Sequence, residues 1–171
     1  CQNAQLSTDF AESIAFYITK SIISILQIND EPKCQTKYYD IIDKLIEINA
    51  PDQYTAITRN QSKSIYFAPG FEDLLFSRSN HTPNEIFNIW DQIFSHLSRP
   101  NFVCFLTVAH ICQIIIPPGP QNVNEIISNW NKWDTQKIIK DALVLMERSR
   151  KMCCDSYRCI SCPIFSVFLK I

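Results

Sequence analysis

The chain has 171 residues, of which 46% are apolar and 19% charged, and its net charge at pH 7 is −1. This length suits one domain with a sizeable core, and the near-neutral charge argues against a nucleic-acid partner. Two glycines are too few for a sheet-rich fold or a phosphate-binding loop, which need glycine at turns. We therefore expect an all-α fold.

Two helices are predicted in the first 50 residues. Asp9 and Glu12 have capping-box spacing at the start of the first helix, and apolar residues follow at helical spacing as far as Leu26. Pro32 suits the first turn of the second helix, and Pro51 is expected to close it.

Residues 51–82 form the least regular part of the sequence. The pair Pro69-Gly70 indicates a turn, and a short helix is predicted at 71–77. The adjacent acids Glu72 and Asp73 are accordingly expected in a surface turn.

The motif Thr82-Pro83-Asn84-Glu85 is the best local helix signal: Thr caps, Pro takes the first helical position, and Glu reaches back from the third. This helix should stop before Pro100. The following segment, 102–116, is apolar almost all round, which predicts a buried central helix. It is shorter than the ~20 residues of a membrane span, so no span is expected. His110, inside this segment, is expected to be a hydrogen-bonded core residue.

Two more helices are predicted after Pro117-Pro118-Gly119-Pro120. Asn122 and Glu125 can cap the first, and the last long helix follows a break near Trp133-Asp134. No repeat or second domain is visible over 1–171. The predicted fold is a compact bundle of five or six helices around 102–116.

Eight cysteines predict about four disulfides that staple this bundle, and hence an extracellular protein. Cys104 and Cys112 would be ~12 Å apart along one helix, too far to pair with each other. The C-terminal segment 153–171 is Cys-rich, but it has only one Cys-x2-Cys pair and no nearby His, so disulfides are favoured over zinc. The full predicted set is Cys1, Cys34, Cys104, Cys112, Cys153, Cys154, Cys159 and Cys162.

Two further features favour secretion. Asn60 and Asn80 each begin a glycosylation sequon in a stretch that resembles a surface loop. The start at Cys1 suggests a mature chain whose signal peptide has been removed. The alternative for Cys1 is the lipid-bearing cysteine of a bacterial lipoprotein.

No catalytic motif was found: the sequence lacks a nucleophile elbow, an HExxH zinc motif, a phosphate loop and a calcium loop. We therefore expect no catalysis, metal or cofactor. The candidate protein interface combines one exposed tryptophan with the basic C-terminal end. The alternatives are partial burial of both tryptophans and a helix-dipole role for the cations. The interface residues are Trp130, Trp133, Arg148, Arg150, Lys151 and Arg158.

The layout resembles the four-helix cytokines, including the interferons, which are secreted single domains of similar length. That resemblance implies a signalling ligand, with Cys1 bridged to Cys104 and Cys34 to Cys153 or Cys154. The predicted function is a secreted cytokine-like ligand or effector that binds another protein. The alternative is an extracellular carrier that holds a small hydrophobic ligand in the helical core, with Thr107, His110 and Gln113 as its polar groups.

Overall fold

The computed structural model describes residues 8–26, 32–96, 99 and 102–154, with side chains described for 10, 12–20, 38–96, 99 and 102–149. These residues form helices and connecting turns, without a strand. The all-α prediction is therefore confirmed, and the arrangement is compatible with a helical bundle. The helices are α1 Thr8–Leu26, α2 Pro32–Asn49, α3 Pro51–Arg59, α4 Ser64–Glu72, α5 Pro83–Ser95, α6 Phe102–Gln113, α7 Val123–Asn129 and α8 Thr135–Cys154.

Helix α6 is the centre of this arrangement. Every side chain from Phe102 to Ile111 is buried, and α6 packs against α2, α4 and α8. A helix with no polar face can be stable only inside a core, so the expectation for this segment is confirmed. The helix ends at Gln113, three residues earlier than the apolar run, and Ile114–Ile116 lead out of it towards Pro117.

The region 51–82 is more helical than its sequence indicates, which raises the count of described helices to eight. Pro51 begins α3, because proline at the first helical position loses no hydrogen bond. Helix α4 contains Pro69 and Gly70 and ends at Glu72. The helix predicted at 71–77 was therefore wrong: residues 73–78 form successive turns.

These turns continue into a strained connection, residues 73–80, which we call the turn segment. Leu75, Phe76 and Asn80 have φ values of 46°, 66° and 57°, a left-handed conformation that non-glycine residues rarely adopt. Leu75 and Phe76 are nevertheless buried. Burial of two large side chains offsets the strain of the backbone that places them.

The predicted starts of α5, α7 and α8 are confirmed by hydrogen bonds at each of these helices. The Thr82 backbone N–H and hydroxyl both donate to Glu85 Oε2, each at 2.7 Å. Asn122 Oδ1 accepts from the Glu125 N–H at 3.3 Å. Asp134 Oδ1 accepts from the Lys137 N–H at 3.0 Å at the start of α8.

Helix α1 differs from the others because all its described side chains are exposed. They include Ile14, Phe16 and Ile18, which are 40%, 65% and 38% exposed. None of the helices in the described ranges has both the length and the apolarity needed to cross a bilayer. The Cys-rich residues 155–171 lie outside the described part of the chain.

Candidate functional site

Of the predicted interface residues whose side chains the structure describes, Trp130 and Trp133 contact each other, with 6.3 Å between their ring centroids, whereas Arg148 lies apart from them. Trp130 and Trp133 are both partly buried and pack against the core. Arg148 is exposed, but it lies 13 positions after Thr135 on α8, which places it about 20 Å further along the axis. The side chains of Arg150 and Lys151, and all of Arg158, lie outside the described residues.

The structure describes the side chains of two of the eight cysteines. Cys104 is buried and Cys112 is partly buried, and neither is bonded to a cysteine whose side chain the structure describes. Burial, with the nearby Glu72 charge, raises the pKa of Cys104, and burial raises that of Cys112 to about 11. Any disulfide that these two form must use a cysteine whose side chain lies outside the described residues: Cys1, Cys34, Cys153, Cys154, Cys159 or Cys162.

A buried pair of histidines lies between α5, α6 and α8. His110 Nδ1 is 2.7 Å from the Leu106 carbonyl oxygen, so this nitrogen carries the proton and donates. His110 Nε2 is 2.9 Å from His81 Nε2, and it must therefore accept from the His81 N–H. His81 Nδ1 is then left to accept from the Thr135 hydroxyl, 3.2 Å away. The network thus fixes one tautomer for each neutral ring.

Aromatic rings enclose this pair. Phe76 stacks on His110 with 4.7 Å between ring centroids, and Trp133 stacks on His81 at 5.3 Å. Burial lowers the pKa of His110 to about 3 and that of His81 to about 4. Both rings therefore stay neutral at physiological pH, and neither faces solvent. This arrangement stabilises the fold and offers no open position for a substrate.

A second buried polar centre surrounds Glu72. Its Oε1 is 2.8 Å from the Tyr38 hydroxyl and 2.8 Å from the Thr107 hydroxyl, and Glu72 is only 5% exposed. The expectation that Glu72 lies in a surface turn was therefore wrong. Burial raises its pKa to about 7, although both hydrogen bonds lower it.

The protonation of Glu72 decides what the Thr107 hydroxyl does. This hydroxyl also lies 3.1 Å from the Val103 carbonyl oxygen, and it has one proton to donate. With Glu72 ionised, Thr107 donates to the carboxylate. With Glu72 protonated, the carboxyl donates to Thr107, which then donates to Val103. Both states keep the Thr107 hydroxyl hydrogen-bonded, but burial makes the ionised state the costlier one.

An aromatic ridge runs along α5, formed by Phe87, Trp90 and Phe94. Successive ring centroids are 6.0 and 6.5 Å apart. The Trp90 indole N–H donates to the Leu75 carbonyl oxygen at 2.8 Å, which fixes the ring against the turn segment. Phe87 is 56% exposed at one end of the ridge, and Leu74, next to Leu75, is 43% exposed.

Some of these residues carry a local signal in the sequence, and others do not. His110 was expected in the core and lies there. Its partner His81 is 29 positions away and lacks any local signal, because only the turn segment brings it inside. Glu72 was missed for the same reason: α4 continues through Pro69-Gly70, which turns the glutamate inward. The helical spacing of the aromatic residues in α5 can be read from the sequence, but the exposure of Phe87 cannot.

Among the described residues, no group of three potential metal ligands comes together. No protein-family model matches the chain, and neither the curated proteins nor the solved structures contain a significant match.

Proposed function

We propose that this protein is a secreted, disulfide-bonded ligand or effector that acts by binding another protein, without catalysis. The aromatic ridge of α5 is the observation that carries the proposal. Aromatic anchors dominate the binding energy of protein interfaces, and an apolar patch exposed at a rigid position is typical of such a surface.

The ridge has the properties of a preorganised anchor. Phe87 projects from a helix whose start is fixed by the Thr82–Glu85 capping box, and its ring rests on Trp90. Trp90 is held by the turn segment, so little side-chain entropy remains to be lost on binding. Leu74, which precedes the residue that holds Trp90, is a second exposed apolar side chain.

The alternative, a carrier with its ligand in the helical core, has less support because its polar groups already have partners. Thr107 bonds to Glu72 and His110 to His81. The Gln113 side chain exchanges two hydrogen bonds with the Asp134 backbone, at 3.0 and 2.9 Å. A core ligand would have to break these contacts.

The proposal is tested with purified protein from a eukaryotic secretory host, titrated onto an array of extracellular receptor domains. Phe87→Ala should weaken the binding of any captured domain at least about tenfold, since an exposed aromatic anchor loses most of its contact area. Its thermal unfolding should stay close to that of the native protein, because the side chain is largely exposed.

Tyr66→Ala is the matched control, because Tyr66 is an aromatic residue that is 65% exposed and lies on α4, not on the helix that carries the ridge. It should bind like the native protein. An equal loss of affinity in both variants, or no saturable binding to any domain, would contradict the proposal.

The secreted state carries its own prediction. Native mass spectrometry should give a mass about 8 Da below that of the reduced, deglycosylated chain, as expected for four disulfides. Retained free thiols would contradict the disulfide framework. A lipid-sized excess that leaves on denaturation, and that is unchanged when Gly70→Leu fills the surface cleft described below, would favour the carrier.

Glycan occupancy should differ between the two sequons. Asn80 Nδ2 donates to both the Ser128 and Trp130 carbonyl oxygens, at 3.0 and 3.1 Å, and so uses both amide protons. A glycan replaces one of these protons. Asn60 Nδ2 makes one such bond, to the Ala56 oxygen at 2.8 Å, and keeps one proton for the sugar. Peptide mapping of the secreted protein should therefore find glycan at Asn60 and an unmodified Asn80; the reverse pattern would contradict this assignment.

A further inference from the structure

A cleft of about 250 Å3 opens between α4, the turn segment and α7. Its floor is apolar, since Phe67, Phe71 and Ile127 are 4%, 4% and 2% exposed. Arg78 and the hydroxyl-bearing Ser79 and Ser128 line its polar side. The cleft is separate from the aromatic ridge, so a ligand here would be a property beyond the proposed protein binding.

Gly70 keeps this cleft open. It lies in α4 and lines the cleft, and a Cβ atom placed on it would meet nothing within 4 Å. Glycine inside a helix is less favourable than alanine, and close packing does not require it here. The missing side chain therefore leaves room for a ligand.

The charge at the cleft is positive and uncompensated. Arg78 is exposed, and it takes part in no ion pair within the described residues. The described lining contains no acidic side chain. A guanidinium at the edge of an apolar floor matches a molecule with an apolar body and a carboxylate end.

We propose that this cleft binds a small apolar carboxylate, with its chain on Phe67, Phe71 and Ile127 and its carboxylate paired with Arg78. At about 30 Å3 for each water-sized group, the cleft holds on the order of eight non-hydrogen atoms. The carbon chain of a medium-chain fatty acid such as octanoate has this size, with its carboxylate oxygens at the edge beside Arg78, and octanoate serves as the probe.

The test is isothermal titration of the full, oxidised chain with octanoate, and with octanol as the uncharged analogue. Octanoate should bind saturably and more tightly than octanol. Arg78→Gln should weaken octanoate about five- to tenfold and leave octanol unchanged, because only the carboxylate pairs with the guanidinium. Arg59→Gln, an exposed arginine outside the cleft, is the matched control and should bind as the native protein does.

Gly70→Leu fills the cleft and should abolish octanoate binding, whereas Gly70→Ala should retain most of it. Thermal unfolding shows whether each variant is folded. If Gly70→Leu does not fold, Arg78→Gln still tests the proposal, because Arg78 is exposed and its replacement should not disturb the fold.

Unchanged binding in the folded Gly70→Leu variant, or equal affinity for octanol, would overturn the proposal. Tighter binding of a peptide with a C-terminal leucine carboxylate would also overturn it, in favour of a protein terminus. Phe87→Ala should leave octanoate binding intact, so this proposal and the protein-binding proposal can fail separately.

Discussion

Replacing His110 by phenylalanine should make the protein less stable at pH 7.5 and relatively more stable at pH 5. At pH 7.5 the variant leaves the His81 N–H without its acceptor, at a cost of about 1–3 kcal/mol. At pH 5 the native protein carries a larger penalty, because the folded state keeps His110 neutral while the unfolded state binds a proton.

The sign follows from the lowered pKa of His110, from 6.5 to about 3 in the folded state. Between these values the unfolded chain binds more protons, so the free energy of unfolding falls as the pH falls. At about 1.4 kcal/mol per pH unit, the difference between native protein and variant should shift by about 2 kcal/mol from pH 7.5 to pH 5. Urea unfolding at the two pH values measures it.

Ile111→Val on the same buried helix is the control for this comparison. It removes one methylene group and should cost about 0.5–1.5 kcal/mol at both pH values. If the stability difference between His110→Phe and the native protein were the same at both pH values, as expected for Ile111→Val, the imidazole would not be held neutral in the folded protein.

Glu72→Gln should stabilise the protein at pH 8 by roughly 2–3 kcal/mol and have little effect at pH 4.5. The amide oxygen of the new glutamine, in the place of Glu72 Oε1, can accept from both the Tyr38 and the Thr107 hydroxyls, so both hydrogen bonds survive. Burial raises the pKa of Glu72 from 4.5 to about 7. The folded state therefore binds more protons than the unfolded state in this interval, and stability is lost as the pH rises through it.

The exposed Glu47 on α2 provides the matched variant. Glu47→Gln removes the same charge from the surface and should change the stability by less than about 0.5 kcal/mol at both pH values. Equal effects of the two substitutions at pH 8, measured by urea unfolding, would mean that ionised Glu72 has no cost in the folded protein.

The two buried centres act in opposite directions. The histidine pair destabilises the fold as the pH falls below 6.5, and Glu72 destabilises it as the pH rises from 4.5 towards 7. Below pH 6.5, the stability lost through the two imidazoles exceeds the stability gained through the one carboxyl group. Stability should therefore be highest near neutral pH.

The sequence predicted those elements whose signals are local. The Thr82–Glu85 box, the Asn122 cap and the apolar run of α6 each contain the hydrogen bonds or the side chains that define them. All-α architecture and a buried His110 follow from such signals. They need no information from distant parts of the chain.

The other features depend on contacts between distant residues or on prolines that allow two interpretations. Pro51 can end a helix or begin one, and Pro69-Gly70 can turn the chain or remain helical when neighbouring helices cover the backbone. The pairing of His81 with His110 and that of Tyr38 with Glu72 span 29 and 34 positions. The free energy of tertiary packing decides these cases, and it cannot be read from a short stretch of sequence.

Helix α6 has a consequence for the reversibility of unfolding. Ten successive side chains of this helix are shielded in the native protein, and the whole segment becomes accessible whenever the chain opens. Exposed apolar segments of this kind self-associate, often faster than the chain refolds. Acid-treated protein returned to neutral pH should therefore recover less completely as its concentration rises, so that the yield of native protein is governed by the competition between refolding and self-association rather than by equilibrium stability.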